Sequence, residues 1–224
     1  MTWLKAEYEV GSLFSYRIPN FSSQYALSSL LPGPSTIKLA IIATAIELSG
    51  NSKRGGEVFE IIKNSKIKIG IPKKVSVFNV LIKRLKKSKS EEKLETTFGI
   101  RGYVHFLGDL TIFIEVADKF KNEIKNILKN IRHFGTSDSI VFCRSVKDEE
   151  PPKNTIEPLN ELKNTENINT LIIPIMDLNP KTKFEYLNPY DQQSRKRDVL
   201  IQKFYQFPFK NKKQGKNWTI YENI

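Results

Sequence analysis

Between Thr2 and Val10 the chain alternates, with Leu4, Ala6, Tyr8 and Val10 on one side and Lys5, Glu7 and Glu9 on the other. A period of two predicts a half-buried strand. Pro19, Asn20, several serines, Pro32 and Gly33 then break the pattern, so residues 12–33 read as one long loop. Long loops inside compact domains usually serve function. The stretch Ile37–Leu48 is apolar almost throughout and is marked by the cation Lys38. It predicts a buried helix, with Ser35 or Thr36 placed to accept a hydrogen bond from an unpaired first-turn N–H and Gly50 placed as a left-handed C-cap.

Further along, "KIKIGIP" (66–72) predicts a short strand with Ile67, Ile69 and Ile71 on one side. Residues 73–97 are ambiguous: Phe78, Leu81, Ile82 and Leu85 have helical spacing with lysines opposite, and the segment reads as an inserted basic element. Two strands are predicted in 100–117 around Gly108–Asp109, a two-residue hairpin signal. Asp118 is placed to cap a helix whose apolar stripe is Phe120, Ile124, Ile127, Leu128 and Ile131. Gly135 would end it, and "SIVFCRSV" (139–146) would be the last strand.

Strand, helix, strands, helix, strand is an α+β order. It predicts a ferredoxin-like or RRM-like antiparallel sheet with helices on one face, spanning residues 1–148 with the basic insertion at about 73–97. After "DEEPPKN" (148–154) the composition shifts to Asn, Lys, Pro and aromatics. Residues 149–224 read as a basic C-terminal extension, with one strand at "TLIIPIM" (170–176).

Charge changes the picture most. Thirty-six Lys and Arg against 24 Asp and Glu leave +12. From Ile61 to Ser90 there are ten Lys or Arg and no acid. A second cluster, Arg195, Lys196, Arg197, Lys203, Lys210, Lys212, Lys213 and Lys216, is interleaved with Tyr205, Phe207, Phe209 and Trp218. Such a surface suits a polyanion, nucleic acid foremost, with an anionic membrane or an acidic protein as other readings.

Other chemistries find little support. The one cysteine, Cys143, reads as a small core residue, and its solitude fits a reducing cytoplasm. No metal-ligand spacing occurs, "NSKRGGE" lacks the P-loop spacing, and no apolar run is long enough for a membrane span. The N-terminus lacks the basic-then-apolar order of a signal peptide. The expectation is a cytoplasmic protein without a cofactor.

"FSYRIPNFSSQY" (14–25) followed by "LPGPSTIKLAIIATAIELSG" (31–50) resembles the start of the CRISPR-associated RAMP proteins. More narrowly, it is similar to the Cascade subunit that caps the 5′ handle of the guide RNA, the fifth Cas family. Pro34, Ser35 and Thr36 match that family's entrance to its first helix, "RGYVHF" its Arg-x-Tyr strand, and "RHFGTSDSIVF" its glycine-Ser/Thr turn into the last strand. The resemblance covers roughly residues 2–146.

It implies a non-catalytic crRNA-binding subunit of a type I interference complex. Its partners would be the crRNA 5′ handle, target DNA near the guide, and the backbone and large Cascade subunits. The RNA-binding residues would be Tyr16, Arg17, Gln24 and Tyr25 in the loop, with Ser35, Thr36 and Lys38 at a helix N-terminus suited to phosphate. Lys73, Lys74, Lys83, Arg84, Lys86 and Lys87 would serve in the insertion. Arg101, Tyr103 and His105 would serve on the strand, and Thr136 and Ser137 in the turn. Two alternatives stay open. One is a metal-independent endoribonuclease using His105 or His133; the other is a basic scaffold for an acidic protein.

Overall fold

The computed structural model describes residues 1–18, 21–22, 24–88, 93–156, 158–159, 171–187 and 199–223. The cluster Arg195–Arg197 and Lys89 lie outside them. The alternating segment is strand β1 (Thr2–Val10), with Leu4, Ala6 and Tyr8 fully buried. Helices α1 (Pro34–Ser49) and α2 (Ser52–Ile62) lead to β3 (Ile67–Ile69). After the insertion come β6 (Leu110–Val116), α3 (Lys121–Asn130) and β7 (Val141–Asp148). These strands form one antiparallel sheet ordered β3-β6-β1-β7. With its two crossover helices on one side, this is the ferredoxin-like arrangement.

Why α1 tolerates an apolar surface all round is now visible. It packs against α2, α3 and β8 (Leu171–Leu178), the first strand of the extension. Its C-terminus closes as expected, on Gly50 at φ 66° with the Gly50 N–H donating to the Ile46 carbonyl at 2.7 Å. Its N-terminus does not. Gly33 is the N-cap, and Ser35 and Thr36 are buried, their hydroxyls without a hydrogen-bond partner among the described residues. Gly33 is small because β8 lies against it: a Cβ there would sit 2.4 Å from Ile175 Cγ2. Small residues at this entrance make room for a strand of the same chain.

The insertion is no helix. Residues Lys74–Lys87 form β4 and Leu94–Leu107 form β5, paired from Lys74↔Leu107 to Lys87↔Leu94. Pairing puts Phe78 and Ile82 on one face and Leu81 and Leu85 on the other, which dissolves the apparent helical stripe. β-Branched and aromatic residues dominate 75–82, and they favour the pleated state. The Gly108–Asp109 signal does not make a hairpin either. β5 and β6 belong to different sheets, and Gly108 at φ 101° turns the chain from one to the other. Asp118 caps nothing by its side chain; it accepts hydrogen bonds from the N-terminal ammonium and the Thr2 hydroxyl.

The second sheet is ordered β10-β11-β4-β5-β2, from β10 (Phe209–Gln214), β11 (Trp218–Asn223) and β2 (Tyr25–Ala26). The extension therefore adds two strands to the insertion. β8 and β9 (Leu200–Phe207) form a separate antiparallel pair. Lys38 joins this pair to α1, its ammonium 2.9 Å from Asp177 Oδ1 and 2.9 Å from the Lys63 carbonyl, while Lys203 reaches Asp177 Oδ2 at 2.9 Å. Burial pushes the Lys38 ammonium down, and Asp177 opposes that shift.

Candidate nucleic-acid interface

A 14-residue strand is about 46 Å long at 3.3 Å per residue, and β4 is buried or half-buried near its start and exposed over its outer half. Val75, Val104 and Phe106 anchor the base of the β4–β5 hairpin in the core. The outer half, from Lys83 to Lys87 and from Lys93 to Thr96, is exposed, and Glu95 is its one described carboxylate. Lys83, Arg84, Lys86 and Lys87 thus sit on an arm whose two strands are joined by their backbone ladder. Such side chains stay solvated and are well placed to meet phosphates.

The long loop is pinned along the edge of β5. Phe14 and Val104 exchange backbone hydrogen bonds at 2.9 and 2.8 Å, and the Ser15 hydroxyl donates to the Gly102 carbonyl at 2.9 Å. Tyr25 and Ala26 pair in parallel with Ile100 and Arg101. The approach is close enough to require glycine at 102, where a Cβ would lie 2.4 Å from the Ser28 nitrogen, and is tight at Gly99, where a Cβ would lie 3.2 Å from the Gln24 carbonyl oxygen. The glycine in "RGY" is therefore a docking position for the loop.

This docking gathers Gln24, Arg84, Lys86 and Arg101 around one recess of about 360 Å³, with Thr97 and Phe98 in its wall. Tyr25 stands exposed beside it with Phe21, their ring centroids 6.5 Å apart. Tyr103 is half-buried and His105 exposed on the neighbouring positions of β5. Arg17 is exposed where the loop returns to Ser28. Tyr16 packs against Gly135, and next to that turn the Thr136 hydroxyl lies 3.0 Å from the Ser139 hydroxyl while Ser137 is exposed. Lys73 is exposed and Lys74 is ion-paired with Glu222 at 3.1 Å.

Three expected residues lie elsewhere. Ser35, Thr36 and Lys38 are 0, 3 and 2% exposed, inside the junction between α1 and β8. Sequence reasoning took hydroxyls and a cation at a helix start for a surface anion site. Their actual partner strand, with Asp177, lies 139 residues away in the chain.

The ferredoxin-like sheet offers no comparable surface. Its outward positions include Lys5, Glu7, Glu9 and Glu115, and ion pairs tie Lys5 to Glu7 and Glu149, Lys66 to Glu115, and Arg144 to Glu9. Phe113, also on that face, is 2% exposed. The chain leaving β7 bonds Glu149 to Trp3 and then Ile156 to Ile69 at the opposite edge, so it crosses the sheet. Among the described residues no group of three or more His, Cys, Asp or Glu could hold a metal ion. No described helix is long and apolar enough to cross a membrane. Burial pushes the Cys143 thiol up, as for a packed residue.

No family model matches the sequence. A curated relative does: the CRISPR-associated protein Cas5 of Archaeoglobus fulgidus is 41% identical over 229 aligned positions, covering 99% of both chains. The chain belongs to the Cas5 family. A crystal structure of a CRISPR protein from Archaeoglobus fulgidus shares the fold of this Cas5 protein, with TM-score 0.53 at 16% identity over 100% of this chain and 92% of that one. A looser likeness, TM-score 0.49 at 11% identity, covers 90% of this chain and 86% of a chain in the cryo-EM structure of the type III-B Cmr-beta bound to cognate target RNA and AMPPnP. Membership makes this Cas5 protein CRISPR-associated, and the basic hairpin with its docked loop is the surface that needs a functional account.

Proposed function

We propose that this Cas5 protein is a non-catalytic RNA-binding subunit of a type I CRISPR interference complex. It holds the 5′ handle of the crRNA in the cytoplasm and contacts the adjacent backbone and large subunits, with target DNA passing near the hairpin. One observation carries the reading: the loop docks on β5 so that Gln24, Arg84, Lys86 and Arg101 line a single recess at the root of a basic arm. Guanidinium and ammonium groups hold phosphates, and Gln24 with the exposed Tyr25 offers amide and ring contacts to unpaired bases. A catalytic reading draws less support. His105 stands on the five-stranded sheet, while His133 is bridged to Ile140 beside the four-stranded one, so the two histidines do not share a site.

The test is binding of the purified chain to labelled repeat RNA carrying the 5′ handle, against a scrambled strand, at two salt concentrations with EDTA present. Preferential, salt-sensitive binding of intact RNA supports the proposal. Cleavage at one position in EDTA makes the protein a nuclease, with His105 the first residue to replace. Equal weak binding of both strands, with tight binding of an acidic protein, favours the scaffold.

A further inference from the structure

The outward face of the five-stranded sheet carries a row of rings that the linear sequence scatters. Register sets Trp218 of β11 opposite Phe78 of β4, and Phe78 opposite Tyr103 of β5. Directly opposed residues in antiparallel strands project to the same side, so the three rings line up across three adjacent strands. That side faces away from the core. Ser76 and His105, one pair along, are half-buried and exposed, whereas Val75, Val104 and Phe106 on the reverse are buried. Two strand spacings, about 10 Å, separate the outer members of the row.

The rings are accessible and oriented. Phe78 and Tyr103 are half-buried, their centroids 5.9 Å apart and their planes within 29°. Trp218 is 41% exposed. It lies over the glycine of the β10–β11 turn, where a Gly215 Cβ would come within 2.4 Å of its Nε1. Cations surround the row: Arg101 lies two residues from Tyr103 on the same face, and Lys213 stands opposite Ile220 on the strand next to Trp218. Glu222, on the same face, is engaged by Lys74 and Lys212.

Rings left open on a sheet, with guanidinium and ammonium groups beside them, suit a strand that stacks its bases on the rings and lays its phosphates on the cations. We propose that Trp218, Phe78 and Tyr103 form a stacking platform for two or three consecutive unpaired bases of single-stranded RNA. The proposal rests on the RNA-binding reading above and extends it from phosphates to base faces. It also makes the C-terminal extension part of the RNA surface, since β11 supplies the most exposed ring.

Intrinsic fluorescence of the full chain tests it. The protein has two tryptophans, so a Trp3→Phe background isolates Trp218. An octamer of uridine and an octamer of abasic sites on the same backbone are the two probes, each end-labelled so that anisotropy gives the affinity of every variant, including those that lack Trp218. The platform requires quenching by the uridine strand and at least about tenfold tighter binding of it than of the abasic strand. Trp218→Ala and Tyr103→Ala should each weaken the uridine complex about 5- to 100-fold and leave abasic binding and the salt slope unchanged. Trp218→Phe and Tyr103→Phe should keep most of the affinity, and unchanged abasic binding reports an intact fold. Equal, salt-sensitive affinity for both probes overturns the platform and spares phosphate binding. Binding of neither probe overturns the platform, and labelled handle RNA then decides the RNA-binding reading separately. Quenching by polyglutamate and not by RNA assigns the face to an acidic protein and overturns the platform.

Discussion

The two large sheets of this protein put opposite things on their outward faces. On the ferredoxin-like sheet, carboxylates Glu7, Glu9 and Glu115 are matched by Lys5, Arg144 and Lys66, and the chain after β7 crosses the surface. On the five-stranded sheet the hairpin leaves Lys83, Arg84, Lys86 and Lys87 exposed, and rings at Phe78, Tyr103 and Trp218 remain in part open. The first sheet pairs its polar groups with one another, and the second holds them out. In the proposed reading the sheet of the RRM type is not the one that meets RNA. Here it acts as the base on which an inserted hairpin and an appended tail build another surface.

The largest expected effect lies in the base. Asp177→Ala leaves the Lys38 ammonium buried without its carboxylate, and breaking a buried pair in this way costs about 3–5 kcal/mol. Replacing both partners by apolar residues, Lys38→Met with Asp177→Leu, should recover most of that stability. Chemical denaturation checks both, and a loss under about 1 kcal/mol for Asp177→Ala would show that the pair is dispensable.

On the other surface, Lys83, Arg84, Lys86 and Lys87 changed together to Ala should leave stability within about 0.5 kcal/mol per site. The slope of log affinity against log salt for single-stranded RNA should fall by about 3, at roughly 0.7 for each phosphate that is no longer neutralised. An unchanged slope would remove the arm from the interface. Gly102→Ala joins the two properties. Its Cβ would meet backbone of the docked loop, so stability should fall by about 1–3 kcal/mol. RNA affinity should fall with it, because Gln24 would leave the recess. Wild-type affinity in a destabilised Gly102→Ala chain would separate docking from binding.

How legible this division was differs by region. β1 and the α3 stripe show their periods openly, because each has one core face and one solvent face. The apolar run of α1 was equally plain, but what surrounds it was not, since β8 and Asp177 come from far along the chain. In the hairpin, Phe78, Leu81, Ile82 and Leu85 mimic a helix because both faces of an outlying hairpin bear apolar residues, so no period of two survives. Gly108–Asp109 marked a real turn, but a turn cannot say which sheet the next strand joins. The basic stretch 73–87 and Gln24, Tyr25 and Arg101 were readable as candidates by residue type. Their assembly was not, because it depends on the register of β2 on β5. The ring row was hidden for the same reason: Phe78, Tyr103 and Trp218 become neighbours only through strand pairing.

Two carboxylates give the smallest and sharpest contrast. The Ser145 hydroxyl and then Lys5 hold Glu7 below the usual carboxylate range, and Lys212 and then Lys74 do the same for Glu222. In each case the unfolded chain takes up its proton first as pH falls, so the stabilising contribution is complete above the unfolded value near 4.5 and is lost as pH drops through the lower folded value. Glu7→Gln should therefore flatten the acid limb of stability against pH by under about 1 kcal/mol and leave RNA affinity alone. Glu222→Gln should flatten it in the same direction and raise RNA affinity a few-fold at low salt, because it releases two lysines beside the ring row. Matching RNA affinities in the two variants would mean that both sheets face the nucleic acid alike, and the division of labour between them would fail. A rise confined to Glu222→Gln would place the RNA over β11 and β4, where the tail meets the hairpin.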